Sequence, residues 1–158
     1  MFEKKIIRNV FIFTLAGIII WLSLIFIAPV LKSLERPSNA FIYSIFSPIC
    51  HQTPSRCFYL YGYPLAVCTR CLGIYFGFLL GTLSFPLING CKSVNPPKKQ
   101  IFFVVSAPIL MDTFGIFFNL WHTSDWLRFF IGFIWGIILP YYLIVGFYEL
   151  LMSHKHFS

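Results

Sequence analysis

Four long apolar runs dominate the sequence and leave few ways for it to fold. They cover residues 10–31, 72–88, 101–121 and 129–148, and Asp112 is the one charged residue within them. A helix of about 20 apolar residues crosses the hydrocarbon core of a bilayer. Only 11% of the residues are charged, against about 25% in typical soluble domains. The chain is therefore predicted to be an all-α integral membrane protein, with a bundle of four transmembrane helices in a single domain over residues 1–158.

The distribution of basic residues predicts the orientation of these helices. With four spans, both termini lie on the same side of the membrane as the loop between the second and third spans. Seven basic residues fall on that side and five on the other, and Lys and Arg are enriched on the cytoplasmic side of membrane proteins. We therefore expect a protein of the inner cell membrane with both termini in the cytoplasm. The loop after the first span then lies outside.

The net charge of +7 does not indicate a nucleic-acid partner. The basic residues are spread over short loops and tails and form no continuous face, whereas nucleic-acid binding requires a concentrated positive surface. The lipid bilayer is the expected surrounding of this chain.

The segment between the first two spans combines a short helix with residue types that bind metals. Ser38 and Asn39 are types that cap helix N-termini, so an amphipathic helix is predicted from Ala40 to about Phe46, lying on the membrane surface. The loop that follows carries a concentration of thiol and imidazole groups: Cys50, His51, Cys57, Cys68 and Cys71.

Four of these side chains form a candidate metal site. Cys50, His51, Cys68 and Cys71 supply three sulfurs and one nitrogen, which is a normal tetrahedral set for Zn²⁺. Cys50 and His51 are adjacent, and neighbouring side chains seldom reach the same ion, so Cys57 could replace either one. The expected cofactor is a metal ion such as zinc.

The same cysteines permit two other interpretations. Cys68 and Cys71 form a C-x-x-C pair at the predicted start of the second span, where the free N–H groups of the helix and Arg70 would stabilise a thiolate. This arrangement is also typical of a redox-active thiol pair. Alternatively, the four cysteines of the loop form structural disulfides, for which three pairings are possible.

Polar residues of the later spans are predicted to lie beneath this site, on its membrane side, and we call this set of residues its floor. Asp112 lies within the third apolar run, and a carboxylate there is costly unless it is paired or neutral. Asn119 and His122 follow on the same helical stripe, which runs toward the outer surface. Arg70 and Arg128 are the reachable partners for Asp112 or for an anionic ligand. Arg70, Asp112, Asn119 and Arg128 are thus candidate cofactor-binding residues, and the alternative is a buried polar network that fixes helix packing.

Glycines recur every fourth residue in two of the spans. They are Gly73, Gly77 and Gly81 in the second span and Gly132 and Gly136 in the fourth. Glycine at this spacing lets helix backbones approach closely in lipid, so it predicts helix packing rather than chemistry.

The combined motifs resemble a family of small bacterial and archaeal membrane proteins that is classed only as a domain of unknown function. The shared signature is Cys-His-Gln, a nearby Arg, then Cys-x-Arg-Cys-x-Gly-x-Tyr-x-Gly, and a later intramembrane Asp followed by Arg-x-x-x-Gly. In this chain the corresponding residues are Cys50, His51, Gln52, Arg56, Cys68, Arg70, Cys71, Gly73, Tyr75, Gly77, Asp112, Arg128 and Gly132. The similarity covers roughly residues 45–137 and implies the same site, without implying an activity.

Three functions remain open from the sequence. The first is a membrane protein with a Cys/His site at the outer surface that binds a metal or cofactor. The second is a thiol–disulfide oxidoreductase coupled to membrane quinone through Cys68 and Cys71. The third is a component of a small-solute or cofactor transporter. Four spans are few for a carrier, so it would act as a homo-oligomer or with other membrane subunits, and without an ATP-binding motif it would not energise transport itself. Whether the chain is an enzyme is left open.

Overall fold

The computed structural model describes residues 2–89, 99–118, 120 and 123–156. Five α-helices and one short hairpin form this part of the chain, together with a 3-10 turn at Pro54–Arg56. In chain order the elements are α1 (Phe2–Ser33), α2 (Ser38–Phe46), β1 (Tyr59–Leu60), β2 (Tyr63–Pro64), α3 (Thr69–Asn89), α4 (Lys99–Phe117) and α5 (Asp125–His156).

Four of these helices are long and apolar enough to cross a membrane. The candidate spans are Ile6–Ser33, Thr69–Leu87, Gln100–Phe117 and Asp125–Phe147. The prediction of an all-α integral membrane protein with four spans and a short helix after the first is therefore confirmed. The third span is shorter than predicted, because the Leu120 N–H donates to the Gly115 carbonyl at 2.9 Å and closes the helix before the apolar run ends.

Helices α3 and α5 form the most closely packed pair in the described part of the chain. They run parallel, because Gly73, Gly77 and Gly81 of α3 lie against Phe129, Phe133 and Ile137 of α5 in the same order. A Cβ added at Gly73 would lie 2.1 Å from the Phe129 carbonyl oxygen, and one at Gly136 would lie 2.2 Å from the Ile74 carbonyl oxygen. Only glycine permits this approach, which confirms the packing interpretation of the glycine spacing.

The short helix α2 begins two residues earlier than predicted and without the expected cap. Its N-cap position is Pro37, no side chain caps the helix, and Ser38 lies within the first turn. The Asn39 side-chain amide instead donates backwards to the Arg36 carbonyl at 2.6 Å. Ile42 and Phe46 form the buried face of α2 and pack against Ile25 and its neighbours on α1.

The hairpin of β1 and β2 lies against α2 and was not predicted. Tyr59 pairs with Pro64 and Leu60 with Tyr63 in antiparallel register. Tyr61 and Gly62 form the turn with φ values of 53° and 80°, the positive pair that a type I′ turn requires. The Tyr43 hydroxyl donates to the Pro64 carbonyl at 2.5 Å, which fixes the hairpin to α2.

Helix α4 has the smallest buried share of the four candidate spans. Two kinds of contact hold the N-terminal half of α4 to α5. The Trp135 indole N–H donates to the Ser106 hydroxyl at 2.9 Å, and the ring of Phe102 lies 5.6 Å from that of Tyr142. Near its C-terminal end, α4 meets the start of α3 through charged and hydroxyl groups.

Candidate metal centre

Cys50 is positioned by the end of α2. Its backbone N–H donates to the Phe46 carbonyl at 2.9 Å, and its side chain is buried among the core residues beneath the loop. The chain then turns at Gln52, which has a φ of 49°. The Gln52 side-chain amide donates to the Tyr43 carbonyl at 2.7 Å. This bond fixes the backbone that follows the thiol.

Cys68 and Cys71 are positioned by the start of α3. The Leu72 N–H donates to the Cys68 carbonyl at 2.9 Å, so Cys68 is the N-cap residue of α3. The backbone N–H of Cys68 donates to the Sγ atom of Cys50 at 3.2 Å. This N–H, which has no partner within the helix because it lies at the helix start, thus donates to the thiol of the preceding loop.

The three sulfurs of Cys50, Cys68 and Cys71 all lie within 4.8 Å of one another. With a Zn–S bond of about 2.3 Å, the sulfurs of a tetrahedral zinc site lie about 3.8 Å apart. The observed group is therefore close to the size that a single soft metal ion requires. We call these three residues the thiol cluster.

Hydrogen bonds within the thiol cluster shift the pKa values of Cys50 and Cys68 in opposite directions. The pKa of Cys50 is lowered, first by the hydrogen bond from the Cys68 thiol and then by that from Cys71. The pKa of Cys68 is raised, with its hydrogen bond to Cys50 as the largest cause. Cys50 is therefore the first member to become a thiolate, which is the form that binds metals.

His51 and Cys57 lie outside the thiol cluster. His51 is exposed and is not among the residues whose ligand atoms come together. Cys57 is buried, and its thiol donates to the Thr53 carbonyl at 3.2 Å. Burial first, and then the charges of Cys68 and Cys50, raise the pKa of Cys57 to about 12, so it remains a neutral thiol.

Arg70 and Asp112 form an ion pair between α3 and α4. Arg70 also donates to the Thr113 hydroxyl at 2.9 Å, and the Thr123 hydroxyl donates to the second oxygen of the Asp112 carboxylate. The Arg70 guanidinium is thus directed toward α4. The sequence did not single out Thr113 or Thr123, because hydroxyl residues of this kind are common in membrane helices.

The other predicted floor residues do not join this network in the described part of the chain. Arg128 is buried, and its guanidinium lies 3.8 Å from the Asp125 carboxylate on the same helix. Asn119 and His122 lie outside the described residues. Of the predicted floor residues that the structure describes, it therefore brings together Arg70 and Asp112 and leaves Arg128 apart.

Residues 50–142, from the first thiol of the cluster into α5, match a family model described as "Predicted membrane protein (DUF2085)". The chain belongs to this family. It is also 32% identical over 157 residues to an uncharacterized protein, MJ1492, from Methanocaldococcus jannaschii, covering 96% of this chain and 99% of that one. No solved structure matches the chain.

Membership confirms the resemblance that the sequence motifs indicated. The matched region contains both halves of the thiol cluster and the Arg70–Asp112 pair. The family description states a membrane protein and no activity, so chemical conclusions depend on the site itself.

Proposed function

We propose that this membrane protein binds a soft metal ion, such as Zn²⁺, through the thiolates of Cys50, Cys68 and Cys71. The observation that carries the proposal is the mutual approach of the three sulfurs to within 4.8 Å. They come from two elements that are separated in the sequence but fixed to each other by the Cys68 N–H to Cys50 Sγ hydrogen bond. Three protein ligands leave a fourth position for water or an exchangeable ligand.

A metal site of this kind also requires that its ligands be held in position before the ion binds. Cys50 is fixed by α2 and by the bond to Cys68, and Cys68 and Cys71 are fixed by α3. The surrounding core is apolar, with Phe46, Val67 and Leu72 among its buried members. An apolar shell strengthens the attraction between a cation and thiolates because it screens less than water.

In this proposal the thiol cluster faces the outside of the inner cell membrane. The support is the larger number of basic residues on the side of the termini. Arg56 and Tyr61, in the loop and hairpin between Cys50 and Cys68, are exposed, and in this proposal a ligand would approach from that side. Assembly of several copies, or with other membrane subunits, would be needed if the bound ion were carried across the membrane.

A thiol–disulfide oxidoreductase is the second candidate, and the same three-thiol geometry favours it. Cys68 and Cys71 could form a disulfide while Cys50, with its lowered pKa, attacks or leaves as a thiolate. Oxidation of two thiols releases two electrons and two protons, which a membrane quinone would take up to form the quinol. This function needs thiols that change state, whereas metal binding needs thiols that remain reduced.

The deciding experiment is metal content per chain on protein purified without chelator. We expect about one metal per chain in the native protein, lost in Cys50→Ser and retained in Cys57→Ser. Cys57 is the matched control because it is a buried cysteine in the same loop but outside the cluster. Folded native protein that contains no metal and takes none up under reducing conditions would overturn the proposal.

A measurement of intact mass separates the two candidates. Metal-binding protein retains the full set of reduced thiols after the metal is removed. Protein that has lost the mass of two hydrogens, and regains it on reduction, contains one disulfide. If quinone addition then restores the disulfide in protein that contained no metal when purified, the redox function is supported over metal binding.

A further inference from the structure

A second candidate site lies at the starts of α3 and α5, on the faces that these two helices turn toward each other. Gly73 and Gly132 mark these faces, because a Cβ added at either glycine would overlap the backbone of the other helix. Thr69 lies four residues before Gly73 and shares its face of α3. Arg128 lies four residues before Gly132 and shares its face of α5. Because the helices are parallel, Thr69 and Arg128 lie at the same end of the contact.

Both side chains are buried, and each has a polar atom without a hydrogen-bond partner. Thr69 has no exposed surface, and Arg128 is 8% exposed. Within the part of the chain that the structure describes, neither the Thr69 hydroxyl nor the Arg128 Nε atom forms a hydrogen bond. Buried polar groups are nearly always hydrogen-bonded, and buried charges are paired. A bound group that accepts hydrogen bonds from both residues would satisfy them.

The guanidinium of Arg128 is incompletely paired. Its Nη1 atom lies 3.8 Å from the Asp125 carboxylate, which is beyond hydrogen-bond distance, and the Asp125 side chain is 39% exposed. Water screens a pair of this kind, so the pair contributes little. Arg70 at the start of α3 is instead engaged by Asp112 and by the Thr113 hydroxyl on α4. Arg128 therefore keeps donor capacity for a ligand between α3 and α5.

The position of these residues favours an anion with several oxygens. The N-terminal ends of α3 and α5 lie side by side, and each carries a partial positive charge. Helix N-termini bind phosphate groups, and a guanidinium can donate two parallel hydrogen bonds to a phosphate. Both helices are candidate membrane spans that begin here, so the site lies near the level of the lipid headgroups. Trp126 and Leu127 beside it are exposed, as is usual for apolar side chains at a membrane interface.

We propose that Arg128 and Thr69 bind a phosphate group between the starts of α3 and α5. The guanidinium donates two hydrogen bonds to the phosphate oxygens, and the Thr69 hydroxyl donates a third. The headgroup of an anionic phospholipid and free phosphate share this chemistry, and the experiment below distinguishes them. Asp125 competes with the phosphate for the same guanidinium. The proposal stands apart from the metal site, because it uses none of the three thiols.

The probes are dioctanoyl phosphatidylglycerol and inorganic phosphate, each titrated into the purified protein in a neutral detergent. Native mass spectrometry counts the lipids bound per chain, and isothermal titration calorimetry gives the Kd of each probe. We expect one phosphate group per chain, with binding weakened at least about tenfold in Arg128→Gln. Thr69→Val keeps the shape of the side chain without its hydroxyl and should weaken binding about threefold to tenfold. Arg56→Gln removes an exposed arginine elsewhere and is the control with native affinity.

Asp125→Asn should change the affinity in the opposite direction. Removing the competing carboxylate should tighten binding of the probe about twofold to fivefold, whereas a purely structural pairing of Asp125 with Arg128 predicts no gain. Together with Thr69→Val, this variant tests the proposal even if Arg128→Gln fails to fold. Saturable binding of the lipid that inorganic phosphate does not displace assigns the lipid headgroup. Binding of inorganic phosphate with an affinity comparable to that of the lipid assigns free phosphate.

Three outcomes would overturn the proposal. The first is that the native protein binds neither probe in a saturable manner. The second is equal affinity in the native protein and in folded Arg128→Gln, which would mean that the phosphate binds elsewhere. The third is equal binding of dioctanoylglycerol, which lacks the phosphate, without binding of inorganic phosphate. That result would mean that the acyl chains alone are recognised.

Discussion

The Sγ atom of Cys50 accepts a hydrogen bond from the backbone N–H of Cys68 at 3.2 Å. This bond joins the loop after α2 to the first turn of α3 and brings a third sulfur to the Cys68–Cys71 pair. A C-x-x-C pair alone is common to metal and redox sites. The third sulfur completes a group of three thiols that could hold a metal ion without a histidine.

His51→Gln should leave metal binding nearly unchanged. The imidazole is exposed and stands outside the group of sulfurs that lie within 4.8 Å of one another. Metal content per chain and a competition titration with a chromophoric chelator measure the effect. We expect an affinity within about threefold of the native value, against a loss of about 100-fold or more in Cys71→Ser. A loss in His51→Gln as large as in Cys71→Ser would show that the histidine completes the site.

Of the four metal ligands that the sequence predicts, the structure brings the sulfurs of Cys50, Cys68 and Cys71 together and leaves His51 apart. Cys50, Cys68 and Cys71 were predictable because thiols at a loop and at a helix start are typical ligand positions. The position of the His51 side chain was not predictable, since it depends on how the backbone turns between Cys50 and Gln52. Local spacing does not determine that turn.

The membrane helices were the most predictable part of the fold. Their apolar runs are long enough to span a bilayer, and the glycine spacing of α3 and α5 indicates the tight contact that the structure has between Gly73 and Phe129. The hairpin at Tyr61 and Gly62 was missed because its strands are two residues long. Strands of this length carry no detectable alternation of apolar and polar residues.

Gly73→Ala should destabilise the protein, because an added Cβ would lie 2.1 Å from the backbone oxygen of Phe129. Backbone cannot move aside as a flexible side chain does, so α3 and α5 must separate. We expect a loss of about 1–3 kcal/mol in the free energy of unfolding. Unfolding in mixed micelles of increasing denaturing-detergent fraction measures it. Gly17→Ala, with open space at its Cβ, is the control and should show no loss.

Breaking the Arg70–Asp112 pair should reveal strong coupling between the two residues. Asp112→Ala leaves a guanidinium that is only one-fifth exposed without its carboxylate, and we expect a loss of about 3 kcal/mol in the free energy of unfolding. The double variant Arg70→Leu/Asp112→Ala should lose clearly less than the sum of the losses in Arg70→Leu and Asp112→Ala. Additive losses in this double-mutant cycle would mean that the pair contributes nothing beyond its separate side chains.

Cys57 should resist alkylation in the folded protein. Its raised pKa of about 12 keeps the thiol protonated below that pH, so at pH 8 about one molecule in ten thousand carries the reactive thiolate. Unfolding returns the pKa to its ordinary value of about 8.5 and should make Cys57 reactive. Iodoacetamide labelling of metal-free protein, followed by peptide mass mapping in buffer and in denaturant, tests this. Labelling of Cys57 at equal rates under both conditions would contradict the assigned burial.

The proposed orientation can be tested with two single cysteine substitutions at exposed positions. Arg56 lies in the loop beside the thiol cluster, and Glu149 lies in the last part of α5. If the cluster faces outside, a membrane-impermeant maleimide should label Arg56→Cys in intact cells, above the signal from the native cysteines. Glu149→Cys should become labelled only after the membrane is permeabilised. The reverse pattern would turn the site toward the cytoplasm, where reducing conditions disfavour disulfides and would weaken the oxidoreductase candidate.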